Sequence, residues 1–398
     1  MDKLFAKRMD ELVPSGIRKV NEKALAMERA GETVIHFELG RPDFDTPEYI
    51  KNACIEDIKK GDVFYTSNFG TMELREAIAW KLKTQNNVEY KPTEIIVSVG
   101  LAEAVFDVMA AILDEGDEVL VPNPGWLNYL NVPKLLGAVP ITYTLKEEND
   151  YQIDLDEIRA KVTPRTKALV LITPSNPTGG VLAEDVLKEL AEIAVKNDIM
   201  IISDEVYERL LYDDAKHISI ASLPGMKERT ITLNGFSKAY SMTGWRLGYA
   251  IAPKPIMDRI KQYHDFNTVG APSPLMEAAV VGLDMPDSYY KEFGDHYAHM
   301  KKLFTDGLKQ IGIPFTDPQG AYFVLADIGP YLRKGESDVD FCLEMAEKVG
   351  VACVPGTSFF NENVNNIVRV HFAKKDETLL DALNRLEGLR DKIKPKHR

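Results

Sequence analysis

One lysine and one arginine frame the most chemically loaded stretch of this chain, residues 231–249. Ser237 and Lys238 follow an apolar strand pattern (230–233) through the turn Asn234-Gly235. Arg246 follows Gly244, just ahead of a second apolar run over 247–252. A lysine at a strand end is able to form a Schiff base with an aldehyde. An arginine fork held beside it suits a phosphate. Three further polar positions occupy comparable places. Gly100 follows the apolar run 95–99, Asn176 follows 168–173, and Asp204 follows 199–203.

These residues need a scaffold, and the chain supplies a βα rhythm from residue 95 onward. Apolar runs at 95–99, 118–121, 168–173 and 199–203 read as strands. Residues 102–113 read as a helix, with Val105, Val108, Met109, Ile112 and Leu113 on one face, and 184–196 reads as another. Strands alternating with helices predict a mostly parallel sheet covered on both faces. In such sheets ligands bind beyond the carboxyl ends of the strands. All four polar positions fall there, which a random scatter of polar residues would not produce. An aldehyde and a phosphate occur together in pyridoxal phosphate, the ligand this set suits.

Several positions stay open at this level. The Gly100 turn opens a helix, so the free N–H groups of Leu101 and Ala102 form an anion site, or Gly100 is simply a turn. Asp204 ends an apolar strand, where an unpaired charge is costly. Its partner is either a pyridinium N–H or loop N–H groups. Tyr207 either donates to a phenolate oxygen or is an ordinary amphipathic tyrosine. Trp126 either lies flat on an aromatic ring or fills the core. Arg369 interrupts the apolar run 367–372 and needs an anion, either a substrate carboxylate or a structural salt bridge.

Outside this region the N-terminal part reads as a helix over 17–30, a strand over 34–37 and a Gly/Pro/Asp-rich loop over 39–47. Two helices flank residues 65–70. Past about 285 a long helix (288–312) leads to strands near 321–325, 351–354 and 367–372 and a helix over 376–389. This reads as a smaller α+β domain. The net charge of −13 argues against nucleic acid or an anionic membrane as partner, and the basic end 392–398 reads as a solvated tail. No apolar run approaches 18 residues, and the N-terminus has no apolar leader pattern. Cys54, Cys342 and Cys353 sit inside apolar patterns, so no disulfide set or metal site is expected. The expected location is the cytoplasm.

The motifs Leu39-Gly-Arg-Pro-Asp-Phe44, Asn176-Pro-Thr-Gly179, Ser203-Asp-Glu-Val-Tyr207 and Ser237-Lys238…Gly244-Trp-Arg246 occur in order. With them the chain, from Val13 to Arg369, resembles the class I/II pyridoxal-phosphate aminotransferases of fold type I. The similarity is nearest the branch with prokaryotic aspartate and aromatic aminotransferases. The resemblance implies an α/β fold with a mostly parallel seven-stranded sheet in a large domain over 48–285, with 1–47 and 286–398 forming the small domain. It also implies that Lys238 is the Schiff-base lysine and Asp204 the partner of the pyridine nitrogen. Tyr207 and Asn176 would bond the ring 3′-oxygen, and Trp126 would stack on the ring. The phosphate would be held at the Gly100 turn by Leu101 and Ala102, with Ser237 and Arg246. Tyr65 would reach the neighbouring subunit's phosphate in a homodimer, and Arg369, Gly40 and Asn176 would hold the substrate α-carboxylate.

Three positions depart from the family pattern: Gly235 and His371 where serine is common, and Ala102 where some acid-selective members carry lysine. The missing lysine points to a neutral or aromatic amino donor, with aspartate kept as the other alternative. Residues 13–18 and the Gly40-Arg41 loop are expected near the distal side-chain pocket, with Arg41 either pairing with an acidic side chain or facing solvent, and glutamate/2-oxoglutarate is a plausible second pair. In the implied ping-pong transamination, Lys238 moves a proton between the substrate and the cofactor. A C–S lyase of the same fold would use the same lysine and aspartate. A non-catalytic regulatory module would place a DNA-binding segment ahead of this fold. Only about 47 residues precede the large domain here, and they match the family's own N-terminal segment.

Overall fold

The computed structural model describes residues 4, 6–12, 16–61, 63–362 and 364–393. The Val13–Ser15 end of the family match and residues 394–398 of the basic end lie outside the described residues. A short 3-10 helix (Lys7–Glu11) precedes an α-helix (Gly16–Arg29) and the short strand β1 (Ile35–His36). It then builds seven strands: β2 (Ile95–Ser98), β3 (Glu118–Asn123), β4 (Val139–Thr144), β5 (Thr166–Ile172), β6 (Met200–Asp204), β7 (Thr230–Gly235) and β8 (Gly248–Ile251). Four more follow: β9 (Phe323–Asp327), β10 (Val351–Ala352), β11 (Val354–Pro355) and β12 (Ile367–His371).

The seven strands β2 to β8 form one sheet in the order β2-β8-β7-β6-β5-β3-β4. Only β8 runs against its neighbours, pairing antiparallel with β2 and β7. The carboxyl ends of β2, β5, β6 and β7 therefore share one edge. These strands are near-continuous apolar runs because both faces are covered. Along β5, Ala168, Val170 and Ile172 pack on one side with Val105 and Val108 of helix Leu101–Ile112 and with Met257 and Ile260 of helix Lys254–Asn267. Leu169 and Leu171 pack on the other side with Leu187, Leu190 and Ala194 of helix Glu184–Lys196.

A separate core joins Val20, Ala24 and Met27 of the first helix to Phe304, Phe341, Met345 and Leu379 near the chain's other end. Over it lies a three-stranded antiparallel sheet, β11-β12-β9, while β1 pairs in parallel with β10. Some bounds differ from those the sequence suggests. The strand expected at 321–325 is laddered over Phe323–Asp327, because Ala321 has φ +55° and turns the backbone first. The last helix stops at Leu386 and restarts at Leu389, because Gly388 adopts φ +69°. The three cysteines are free and buried, and the sulfurs of Cys342 and Cys353 lie 3.3 Å apart.

Candidate active site

A cavity of about 350 Å³ opens at the carboxyl edge of the sheet, between the two cores. Its wall contains Leu101, Ala102, Trp126, Asn176, Asp204, Tyr207, Ser237, Lys238 and Arg246 from the sheet side, with Gly40 and Arg369 facing them. Lys238 follows β7, and its amine is half-buried. Nζ donates to the Gly40 carbonyl at 3.1 Å and to Tyr322 Oη at 2.9 Å.

Asp204 is the last residue of β6 and is buried. Its Oδ2 accepts from the Tyr129 hydroxyl at 2.8 Å and its Oδ1 from the Val206 N–H at 3.2 Å. Burial pushes the carboxyl up to about 6; the Tyr129 and Val206 hydrogen bonds and the Lys238 charge pull against that, and the Glu205 charge adds to it. A cationic N–H at this spot would turn a costly buried charge into a paired one. Tyr129 lies one helical turn after Trp126, in helix Leu127–Leu135, and the two rings meet edge-on at 5.6 Å. Sequence reasoning missed Tyr129; its helical spacing from Trp126 was the available signal.

The turn after β2 is built from close backbone contacts. Gly100 has φ +77°, and a Cβ there would collide with the Arg246 guanidinium. Helix Leu101–Ile112 starts immediately after it, so its first N–H groups have no intrahelical partner and point outward with the helix dipole. Arg246 itself adopts φ +57° and donates from Nη1 to the Thr243 carbonyl at 3.0 Å. No carboxylate pairs with it among the described residues, which leaves its charge available to an anion. At Gly235 a side chain would press on the Leu247 carbonyl at 3.1 Å and Gly248 Cα at 3.2 Å.

Arg369, in β12, is buried between the rings of Phe323 and Phe359, at 4.3 and 4.7 Å. Its Nη1 donates to Asn176 Oδ1 at 2.8 Å and its Nη2 to the Glu38 carbonyl at 3.4 Å. Its buried Nε has no hydrogen-bond partner. Among the described residues no carboxylate pairs with it, so the salt-bridge alternative has no counterpart. Burial lowers its pKa to about 10, against the pull of Tyr207, Tyr322 and Glu38. An incoming carboxylate would satisfy the guanidinium in its fork geometry.

Two of the singled-out positions lie outside this cavity, Tyr65, which the resemblance assigns to a neighbouring subunit's site, and Arg41, for which solvent is one of the two readings. Tyr65 is 94% exposed and lines a different hollow, with Phe64, Val269 and Pro272. Arg41 is exposed and does not line the cavity. Ile17, from the first helix, does line it. His371 is buried behind the cavity, edge-on to Phe37 at 5.5 Å and tilted to Tyr322 at 5.8 Å. Burial, then the Lys374 and Arg369 charges, hold its pKa well below the ordinary histidine value, so the ring is neutral. Sequence reasoning also missed Tyr322 and Glu38. Tyr322 sits among apolar residues and gave no signal.

The geometry has counterparts. Residues 32–386 match the family model described as aminotransferase class I and II. The chain is 39% identical over 397 residues to a probable aspartate/prephenate aminotransferase of Aquifex aeolicus, covering 99% of this chain and 100% of the relative. It is 38% identical to aromatic-amino-acid aminotransferase 2 of Thermococcus litoralis, covering 96% of each. A double mutant of the Thermus thermophilus aspartate aminotransferase superposes with a TM-score of 0.90 at 35% identity, over 97% of this chain and 99% of that one. This chain belongs to the class I and II aminotransferases, pyridoxal-phosphate enzymes that move an α-amino group between an amino acid and a 2-oxo acid.

Proposed function

We propose that this aminotransferase takes its amino group from a neutral, apolar or aromatic L-amino acid, with glutamate/2-oxoglutarate as the second pair. It works as a cytoplasmic homodimer with shared sites. The observation that carries the reading is Arg369: a buried guanidinium with an unpartnered Nε and no paired carboxylate, across the cavity from Lys238 and Asp204. The cavity wall holds three cations, Lys238, Arg246 and Arg369. An aldehyde, a phosphate and an α-carboxylate account for all three. A second carboxylate on the substrate would find none left and would meet Glu38, while Ile17, Leu39 and Phe359 offer apolar surface. Relatives named for aspartate, for aspartate/prephenate and for aromatic amino acids stand at nearly equal identity, 40%, 39% and 38%, so the cavity is the better guide.

The residues present fit pyridoxal phosphate. Gly100 leaves room that a Cβ would fill, beside an arginine with no carboxylate partner. When bound, the group supplies an electron sink for the substrate α-carbon. Leu101 and Ala102 N–H groups, Ser237 and Arg246 hold its phosphate. Asp204, oriented by Tyr129, holds a proton at the ring nitrogen. Tyr207 and Asn176 bond the 3′-oxygen, and Trp126 covers the ring. Arg369, with Asn176 and Gly40, fixes the substrate carboxylate. The Lys238 amine would take the proton from the substrate α-carbon as general base and, as its conjugate acid, return a proton on the far side of the substrate nitrogen. Residues 48–285 carry the cofactor, while 1–47 and 286–398 form the small domain that closes on substrate and excludes water.

Two features support the dimer and the compartment. Phe64, Tyr65 and Phe266 are 75, 94 and 92% exposed, a costly display of aromatic surface for a lone chain and a natural contact for a second copy. The three free thiols suit a reducing compartment.

The test is a half-reaction screen. The pyridoxal form is mixed with single amino acids, and its conversion to the pyridoxamine form is followed by absorbance. We expect fast conversion by aromatic or aliphatic amino acids and slow conversion by aspartate. Faster conversion by aspartate would contradict the assignment of the donor.

A further inference from the structure

Three distant chain segments meet at the amine of Lys238. Besides the bonds from Nζ to Gly40 and Tyr322, the Tyr322 hydroxyl itself donates to the Gly40 carbonyl at 2.8 Å. The three groups close a triangle in which every polar atom is used. Gly40 comes from the N-terminal segment, Lys238 from the sheet edge and Tyr322 from the strand region near the C-terminus.

The Tyr322 ring has little freedom to move. It is fully buried, edge-on to Tyr207 at 5.5 Å and stacked with Tyr297 at 6.1 Å. His371 backs it as a neutral ring. A charged imidazole there would be a further cation in a region that already holds Lys238 and Arg369. The phenol is thus a fixed acceptor facing a flexible amine. A lysine side chain carries a rotatable ammonium on a four-carbon stem, and two fixed acceptors remove most of its freedom.

We propose that Tyr322 is a positioning residue for Lys238. Its hydroxyl, with the Gly40 carbonyl, docks the amine whenever that amine is not covalently engaged. The proposal rests on the reading of Lys238 as the lysine that engages the cofactor. An amine displaced by substrate must stay aimed at one point to move a proton, and a misplacement of about 1 Å can cost about a hundredfold in rate. The triangle gives the displaced amine a defined place to wait.

Tyr322→Phe tests this, because it keeps the ring and deletes one oxygen. The first readout is chemical labelling of Lys238 by an acylating reagent in cofactor-free protein, mapped by mass spectrometry and normalised to the exposed Lys254. Loss of one hydrogen bond to a charged group should speed labelling of Lys238 about tenfold. The second readout is the half-reaction. Its maximal rate should fall about tenfold or more, with little change in half-saturating amino acid, cofactor content or melting temperature. A variant labelled at the wild-type rate would overturn the proposal, whatever its activity. Wild-type protein is also labelled with pyridoxal phosphate bound. If Lys238 is then unprotected, the reading of Lys238 and the proposal fail together. If Lys238 is protected but Tyr322→Phe changes nothing, only the proposal fails.

Discussion

Asp204 carries the clearest electrostatic consequence of the site. Its carboxyl titrates near 6 in the folded protein against an ordinary value of 3.8, chiefly because it is buried. The folded state therefore binds more protons than the unfolded state between those values, and stability falls as pH rises through that window. By neutral pH the full cost is present, about 3 kcal/mol. Asp204→Asn removes the charge and keeps an acceptor for Tyr129. In cofactor-free protein at about pH 7.5, the variant should unfold at higher denaturant concentration than wild type, and the gap should close below about pH 4. Denaturant titrations across that range check it; a wild type as stable as the variant at neutral pH would contradict it. The same variant should hold pyridoxal phosphate more weakly, since the ring nitrogen loses its anion. Asp204 was legible in the sequence because one acid ends an apolar strand, and Arg369 because one base interrupts another. Tyr129 and Tyr322 were not, since a tyrosine within an apolar pattern looks like any core aromatic. Tyr322 reaches Lys238 only through the fold, across 84 residues of chain.

The turn joining β2 to helix Leu101–Ile112 combines backbone conformation and space. Gly100→Ala would force an alanine to φ +77° and into the Arg246 guanidinium. Gly116 offers a control: its φ is +85°, but a Cβ there would meet nothing within 4 Å. Both Gly100→Ala and Gly116→Ala should lose stability from backbone strain, about 1–3 kcal/mol each. Only Gly100→Ala should also weaken pyridoxal phosphate binding, by about tenfold or more, as Arg246 is displaced from the anion site. Equilibrium titration of both variants separates the two effects, and equal affinities would contradict the role of the turn. At this scale the apolar runs of β2, β5, β6 and β7 and their crossover helices were legible from periodicity. The direction of β8 was not, because an apolar run of its length fits either orientation. The strand Val139–Thr144 escaped notice, since most of its residues are only partly buried and it carries no strong apolar run.

The whole molecule places its chemistry between two cores, with Gly40 and Arg369 reaching across from the second core to the sheet edge. That arrangement explains how residues as distant in sequence as Glu38 and Arg369 come into contact, at 3.4 Å. Tyr65 stays out of the cavity in a single chain, where its exposed loop lines a separate hollow with Phe64, Val269 and Pro272. The parallel sheet and the convergence at its carboxyl edge were legible in the sequence. The packing of the N-terminal helix against the last third of the chain was not derivable from local pattern, because it depends on contacts hundreds of residues apart. The most direct test is borohydride reduction of the pyridoxal-phosphate-loaded protein, followed by native mass spectrometry and peptide mapping. The result expected is an assembly of two chains carrying one covalent label each, with both labels on Lys238. A label on any other lysine, or none, would contradict the account.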